Sequence, residues 1–248
     1  MVTIWINTLI SVIIVSLISL VGISTLALQK ELLNSILFYL VSFSVGALLG
    51  DVFIHIIPEI AAEGDATAMG MYLLIGIIGF FILERFVLWH QSHAEHTEQV
   101  HSVVYLTIFG DALHNFLDGM AIAASFLVSP ALGIATSIAV IFHEIPQEIG
   151  QFAILIHGGW STKKALLYNF VSALTAVLGA VVVLILATSV EGITMPLLAI
   201  SAASFIYIAL SDLIPELHRE SGGAKKSVIQ LVWMIVGILV MASLLWLE

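Results

Sequence analysis

The sequence predicts an all-α, polytopic membrane protein with eight transmembrane helices, and three observations predict it. Of its 248 residues, 60% are hydrophobic and only 10% are charged, whereas an ordinary soluble domain carries roughly 25% charged residues. The mean hydropathy is +1.15, more apolar surface than a soluble fold can hide, so lipid must be the solvent for most of the chain. The apolar residues also gather into eight runs of spanning length: 4–28, 36–58, 69–89, 102–128, 131–156, 165–189, 193–216 and 227–247. A spanning helix needs about 20 such residues.

The connections are short, so residues 1–248 read as one transmembrane domain with no room for a soluble module. The first run is long enough to span and lacks a basic leader, which reads as a helix rather than a signal peptide. A net charge of −10 disfavours nucleic acid as a partner and suits cations. There are no cysteines, which excludes disulfides and thiolate metal sites.

Orientation follows from the basic residues. Lys30 lies in loop one, Arg85 at the end of helix three, Lys163 and Lys164 in loop five, and Arg219, Lys225 and Lys226 in loop seven. All fall on one side. The opposite side carries Glu63, Asp65, Glu191 and Glu248 and no base. The odd loops are therefore expected in the cytoplasm, with both termini outside a cell (inner) membrane.

Helix two carries Asp51, His55 and Glu59 at i, i+4 and i+8, a polar stripe toward the outer face. Loop three holds His90, His93, His96 and His101 with Glu95 and Glu98. Such a segment binds metal weakly as a buffer or sensor, and an ordinary polar loop explains it nearly as well. Helix seven carries Asp212 and Glu216 toward the inner face. His55-Ile56-Ile57-Pro58-Glu59 in helix two matches Asp212-Leu213-Ile214-Pro215-Glu216 in helix seven. The two helices run in opposite directions, as expected for inverted repeats of helices one to three and six to eight around helices four and five.

The central pair carries the chemistry. In helix four, His114 and Asp118 share one face, beside a second i,i+4 pair, Asp111 and Asn115. In helix five, His143, Gln147 and Gln151 form one stripe, with Glu144 and Glu148 on the adjacent one. His114 and His143 each lie about a dozen residues into their predicted spans, so the clusters share one depth. An ionisable group at the bilayer centre costs at least about 2.5 kcal/mol. Asp111, Asp118, Glu144 and Glu148 have no basic residue at that depth, so they need protons, water or a cation. Imidazole with carboxylate oxygens suits Zn²⁺, Fe²⁺ or Mn²⁺ better than Na⁺. Pro146 cannot bond the Phe142 carbonyl, which must then be satisfied otherwise.

Other readings exist for each feature. A lone intramembrane histidine is more often a helix–helix hydrogen bond, and a proton relay needs no metal at all. Asp51 fits a buried structural hydrogen bond as well as pathway lining, and Glu59 and Glu216 fit solvated helix ends. The HExxH pattern of zinc proteases fails at Gln147, yet a membrane zinc hydrolase with Glu144 as base is a rival to transport.

The stretches His114-Asn115-Phe116-Leu117-Asp118-Gly119 and His143-Glu144-Ile145-Pro146-Gln147-Glu148-Ile149-Gly150 resemble the helix-four and helix-five signatures of ZIP (Zrt/Irt-like) metal transporters. They are closest to the subfamily whose helix five reads HEIPHELGD. The likeness extends over nearly the whole chain, from Gly50-Asp51 in helix two to Glu216 in helix seven. It implies a 3+2+3 helix arrangement with outside termini and a metal site between helices four and five. Carried over, His114, Asp118, His143 and Gln147 form the primary site, with Asn115 and Glu144 lining a second. Asp51, His55, Asp111, Glu148, Gln151, Asp212 and Glu216 are candidate pathway residues. The resemblance further implies import of Zn²⁺, or of Fe²⁺, Mn²⁺ or Cd²⁺, into the cytosol, often by a homodimer. Three departures stand out: Gln147 replaces a histidine, Gln151 an aspartate, and Ala176 a glutamate that completes the second site in many bacterial relatives.

Overall fold

Each predicted run is a helix in the structure, a computed structural model that describes residues 1–26, 30–63, 65–92, 99–190, 192–219 and 223–247. Helix one is Val2–Ile18, continued by a 3₁₀ stretch, Ser19–Leu26. Helix two is Lys30–Gly50, a π-turn Asp51–Ile56, and Ile57–Glu63. Helix three is Ala66–Ser92, helix four Gln99–Val128 and helix five Pro130–His157. Helix six is Thr162–Ala173 followed by Thr175–Ser189. Helix seven is Thr194–Tyr207, a π-turn Ile208–Leu213, and Ile214–Arg219. Helix eight is Ala224–Leu244, ending in a 3₁₀ turn, Leu245–Leu247. No strand occurs among the described residues.

Most helices run a few residues past the apolar limits; helix two, expected over 36–58, spans 30–63. Hydropathy reads only the lipid-facing part, whereas backbone groups near the interface still gain by remaining helical. Two ends have clear local causes. Ser129 accepts from the Leu132 amide at 3.1 Å with Pro130 in the first turn, and Ser161 accepts from the Lys164 amide at 3.4 Å. Six described helices are long and apolar enough to cross a membrane. Helices four and five, 30 and 28 residues long, dilute their apolar runs with the His, Asn and acidic residues of the centre.

Helices one, four, five and six pack on one another, while helix two lies along helix eight and helix three along helix seven. Two of these crossings bring backbones together. A Cβ on Gly119 of helix four would meet the Ala176 carbonyl oxygen at 1.8 Å, and one on Gly179 of helix six would meet that of Phe116 at 1.9 Å. Likewise Gly46 of helix two faces the Met234 oxygen at 2.0 Å and Gly237 of helix eight that of Phe43 at 2.3 Å. In lipid, where apolar burial drives no association, such close approach supplies the attraction through dispersion contacts.

The π-turns of helices two and seven each begin seven residues before a proline, Pro58 or Pro215. An α-helical proline clashes with the carbonyl four residues back. Here the residue before each proline bonds five residues back instead, Ile57 to Val52 and Ile214 to Ala209. The wider turn absorbs the clash. The first half of helix two packs on the helix-seven π-turn, and the first half of helix seven on the helix-two π-turn.

Candidate metal centre

Helix five runs through Pro146, and another helix brings a hydroxyl to the carbonyl that the proline cannot bond. Ser44 Oγ of helix two lies 2.6 Å from the Phe142 carbonyl oxygen. That carbonyl belongs to the residue before His143, so the imidazole leaves the helix at a braced point. His143 is fully buried. Its Nδ1 lies 3.1 Å from the Ala139 carbonyl oxygen. A carbonyl can only accept, so we assign the proton to Nδ1, which leaves the Nε2 lone pair free. Phe205 of helix seven holds the ring from the side, centroids 6.0 Å apart.

That lone pair points at three other donor atoms. His143 Nε2 lies 3.1 Å from Asp118 Oδ2, 3.2 Å from His114 Nε2 and 3.6 Å from Glu144 Oε1. His114 Nε2 lies 3.2 Å from Glu144 Oε1 and 3.6 Å from Asp118 Oδ2. Zinc bonds nitrogen and oxygen at about 2.0–2.2 Å, which makes the edge of its tetrahedron about 3.3–3.5 Å. The five distances scatter about that edge. His114, Asp118, His143 and Glu144 thus place four donor atoms close enough together to hold one metal ion.

Local geometry explains the set. His114 and Asp118 are one turn apart on helix four. His143 and Glu144 are consecutive, about 100° apart around helix five, and both reach helix four because the two helices pack closely. Gly119, beside Asp118, lets helix six close over the site at backbone distance. Asn115 is buried and donates to the Asp111 carbonyl at 3.2 Å, leaving its own Oδ1 and Asp118 Oδ1 without hydrogen bonds among the described residues. Gln147, one turn beyond His143 in helix five, lines an adjoining cavity.

The cavity has a volume of about 670 Å³. Its walls come from the start of helices two and four and the ends of helices three, five and seven, so it opens on the face of the odd-numbered loops. Its acidic lining is Glu84, Asp111, Asp212 and Glu216, and Tyr207 donates to Glu84 across the helix-three/helix-seven contact. Of the four ligands only His114 lines the cavity; its side chain is 19% exposed, whereas those of Asp118, His143 and Glu144 are at most 1% exposed. Ala121 to Ala124, Ala135, Ala139, Val140, Ala199 and Ala202 are buried.

The remaining candidates are scattered. Glu148 and Gln151 are buried, Glu148 against helix six and Gln151 beside the cavity. Asp51 is buried at the helix-two π-turn beside His55 and Thr136. His55 bonds the Met241 carbonyl at 2.9 Å, well away from the quartet. Glu216 pairs with Arg219 at 3.4 Å in an exposed contact. Of the loop histidines, His93 and His96 lie outside the described residues, as do the side chains of His90 and His101. The sequence reading missed Ser44, Asn169, Ser172 and Glu84. Asn169 and Glu84, polar residues within apolar runs, were the ones with a visible signal.

A helical membrane bundle with a divalent-metal ligand set at its core, opening by an acidic cavity to one face, belongs to the class of polytopic metal-ion proteins. Comparison with known proteins narrows the class. The family model described as "ZIP Zinc transporter" matches residues 2–102 and 89–245. The chain is 36% identical over 217 residues to zinc transporter ZIP13 of Pongo abelii, covering 82% of this chain and 65% of that protein. It is 34% identical over 239 residues to zinc transporter YKE4 of Saccharomyces cerevisiae, covering 82% and 69%. Mouse zinc transporter ZIP4 is 32% identical over 246 residues, covering 70% of this chain and 37% of that protein. The chain belongs to the ZIP zinc transporter family and spans about two thirds or less of the length of most of these relatives. The family is one of transport proteins rather than enzymes.

Proposed function

We propose that this chain carries Zn²⁺ across a membrane through the quartet between helices four and five. The observation that carries the reading is the pairing of a cluster of two His and two carboxylate donors with a cavity that reaches it at His114. An ion held there exchanges with the face to which that cavity opens, through His114. The positive-inside pattern makes that face the cytoplasm, so the conformation is inward-open and the step it serves is release into the cytosol. The acidic cavity wall lowers the energy of a leaving cation.

Transport requires the reciprocal state, with the inner cavity closed and an outer path open. The matched π-turns of helices two and seven, each packed on the other's first half, fit an inverted repeat whose two halves exchange shape. Fe²⁺, Mn²⁺ and Cd²⁺ bind the same donor types and are secondary cargoes of this reading. The cell membrane and a homodimer complete it; cross-linking in native membranes tests the dimer.

The test is ⁶⁵Zn²⁺ uptake by proteoliposomes holding purified protein, with His143→Ala as control. Saturable uptake lost in the variant supports transport through this site. No uptake by folded wild-type protein, across a range of pH and with Fe²⁺ and Mn²⁺ also tried, overturns it.

A further inference from the structure

One buried hydroxyl faces two acceptors. Ser44 Oγ of helix two lies 2.6 Å from the Phe142 carbonyl oxygen in helix five and 2.7 Å from the Leu40 carbonyl oxygen, one turn back in its own helix. A serine hydroxyl carries a single proton, so it serves one carbonyl well or is shared between the two. The acceptors are unequal. The Leu40 carbonyl lies inside the α-helix Lys30–Gly50 and has a backbone donor there. The Phe142 carbonyl lacks one, because Pro146 stands four residues on. Ser44 is fully buried, and a carbonyl left unbonded away from water is costly.

Helix two grips Phe142 twice. The Phe142 ring packs on Phe43, centroids 4.4 Å apart, while its carbonyl meets the next residue, Ser44. Helix eight backs helix two at the same level, where a Cβ on Gly237 would lie 2.3 Å from the Phe43 carbonyl oxygen. Leu37 and Val41 of helix two and Pro146 and Gly150 of helix five line the cavity. Ser44 and Phe142 stand one turn beyond them on each helix, and the buried ligand His143 follows Phe142 directly. The grip therefore joins helices two and five at the depth of the quartet, just past the cavity wall.

We propose that Ser44 is a latch for the conformation in which the cavity is open: its proton serves the Phe142 carbonyl here and returns to the Leu40 carbonyl when helix five parts from helix two. Released, the hydroxyl keeps a partner in its own helix, and only the Phe142 carbonyl must find another. The latch weights the balance between conformations by about one net hydrogen bond, a shift of roughly fivefold, without fastening the helices for good. Because Phe142 precedes His143, the latched backbone and a metal ligand move together. That such parting is a step of transport rests on the reading above; the effect of the latch on how open the cavity stands does not.

The chain has no cysteine, so a single one at Ile154 on the cavity wall reports on the cavity alone. The experiment measures how fast a membrane-impermeant maleimide labels Ile154→Cys in the full chain in nanodiscs. Adding Ser44→Ala is expected to slow labelling about threefold to fivefold, and Ser44→Thr, which keeps the hydroxyl, to restore it. Pro146→Ala returns an N–H to the Phe142 carbonyl, so it is expected to slow labelling by itself and to abolish any further effect of Ser44→Ala. Elution volume and melting temperature check that each variant folds; a serine that only stabilises the fold would lower the melting temperature and leave labelling unchanged. Unchanged or faster labelling in folded Ser44→Ala protein overturns the latch, as does an equal effect of Ser44→Ala with and without Pro146→Ala. Where Ser44→Ala does not fold, Pro146→Ala alone decides, and undiminished labelling overturns the latch. Wild-type uptake of ⁶⁵Zn²⁺ that fails while labelling follows Ser44 removes the transport reading and leaves the latch standing.

Discussion

Ser44 of helix two lies 2.6 Å from the carbonyl oxygen of Phe142 in helix five, the carbonyl whose helical partner Pro146 lacks. The contact joins two helices one residue from the ligand His143. Ser44→Ala is expected to lower stability by about 1–2 kcal/mol, since the orphaned carbonyl sits where water is scarce. Differential scanning fluorimetry in detergent measures the loss. Restoration by Ser44→Thr would show that the hydroxyl, rather than the side-chain volume, matters.

The crossing of helices four and six depends on the absence of side chains. At Gly119 a Cβ would stand 1.8 Å from a backbone oxygen, a contact no rotamer can relieve. Gly119→Ala is expected to cost about 3 kcal/mol or to prevent folding. Gly79 of helix three has nothing within 4 Å, and Gly79→Ala should gain about 0.5–1 kcal/mol. Equal melting temperatures for the two variants would refute the close crossing.

The quartet and Gln147 separate by their effect on binding. Glu144→Ala or Asp118→Ala removes one of four ligands and should weaken Zn²⁺ binding at least roughly tenfold in equilibrium dialysis. Gln147→Ala, on the cavity wall, should leave affinity within roughly threefold and alter the rate of uptake instead. The reverse ranking would make Gln147 the ligand and Glu144 the neighbour.

Protons compete with the metal for the two Nε2 lone pairs and the two carboxylates. Ligand groups must be deprotonated to bind, so Zn²⁺ affinity should fall as pH drops from about 7.5 to about 5.5. Binding should also release protons, giving a calorimetric enthalpy that varies with the ionisation enthalpy of the buffer. Independence from both pH and buffer would count against imidazole ligands.

Much of this arrangement was legible beforehand, for reasons particular to membranes. Charged groups deep in helices four and five are so expensive that Asp111, His114, Asp118, His143, Glu144 and Glu148 announce a polar site on sight. The repeated Ile-Pro-Glu ends of helices two and seven marked related segments, and each is preceded by a π-turn that the sequence reading did not foresee. Helical periodicity put His143 and Gln147 on one stripe and Glu144 on another; in the fold Glu144 also approaches His114, a contact that periodicity within one helix does not foretell. Nor did hydropathy point to Ser172 as a partner of Asp111, or to Ser44 as the partner of Phe142.

Composition and the spacing of polar residues by themselves determined the eight helices, the central pair and the residue types available to hold a cation, because lipid tolerates few alternatives for a backbone or a charge. Tertiary structure alone decided that donor atoms of His114, Asp118, His143 and Glu144 lie close together, that Glu148 and Asp111 turn to helix six, and that the cavity lies toward the odd-numbered loops. Those outcomes depend on how far each helix is rotated and how closely it is approached, and the glycine crossings and interhelical hydrogen bonds that set rotation and approach join residues far apart in the chain.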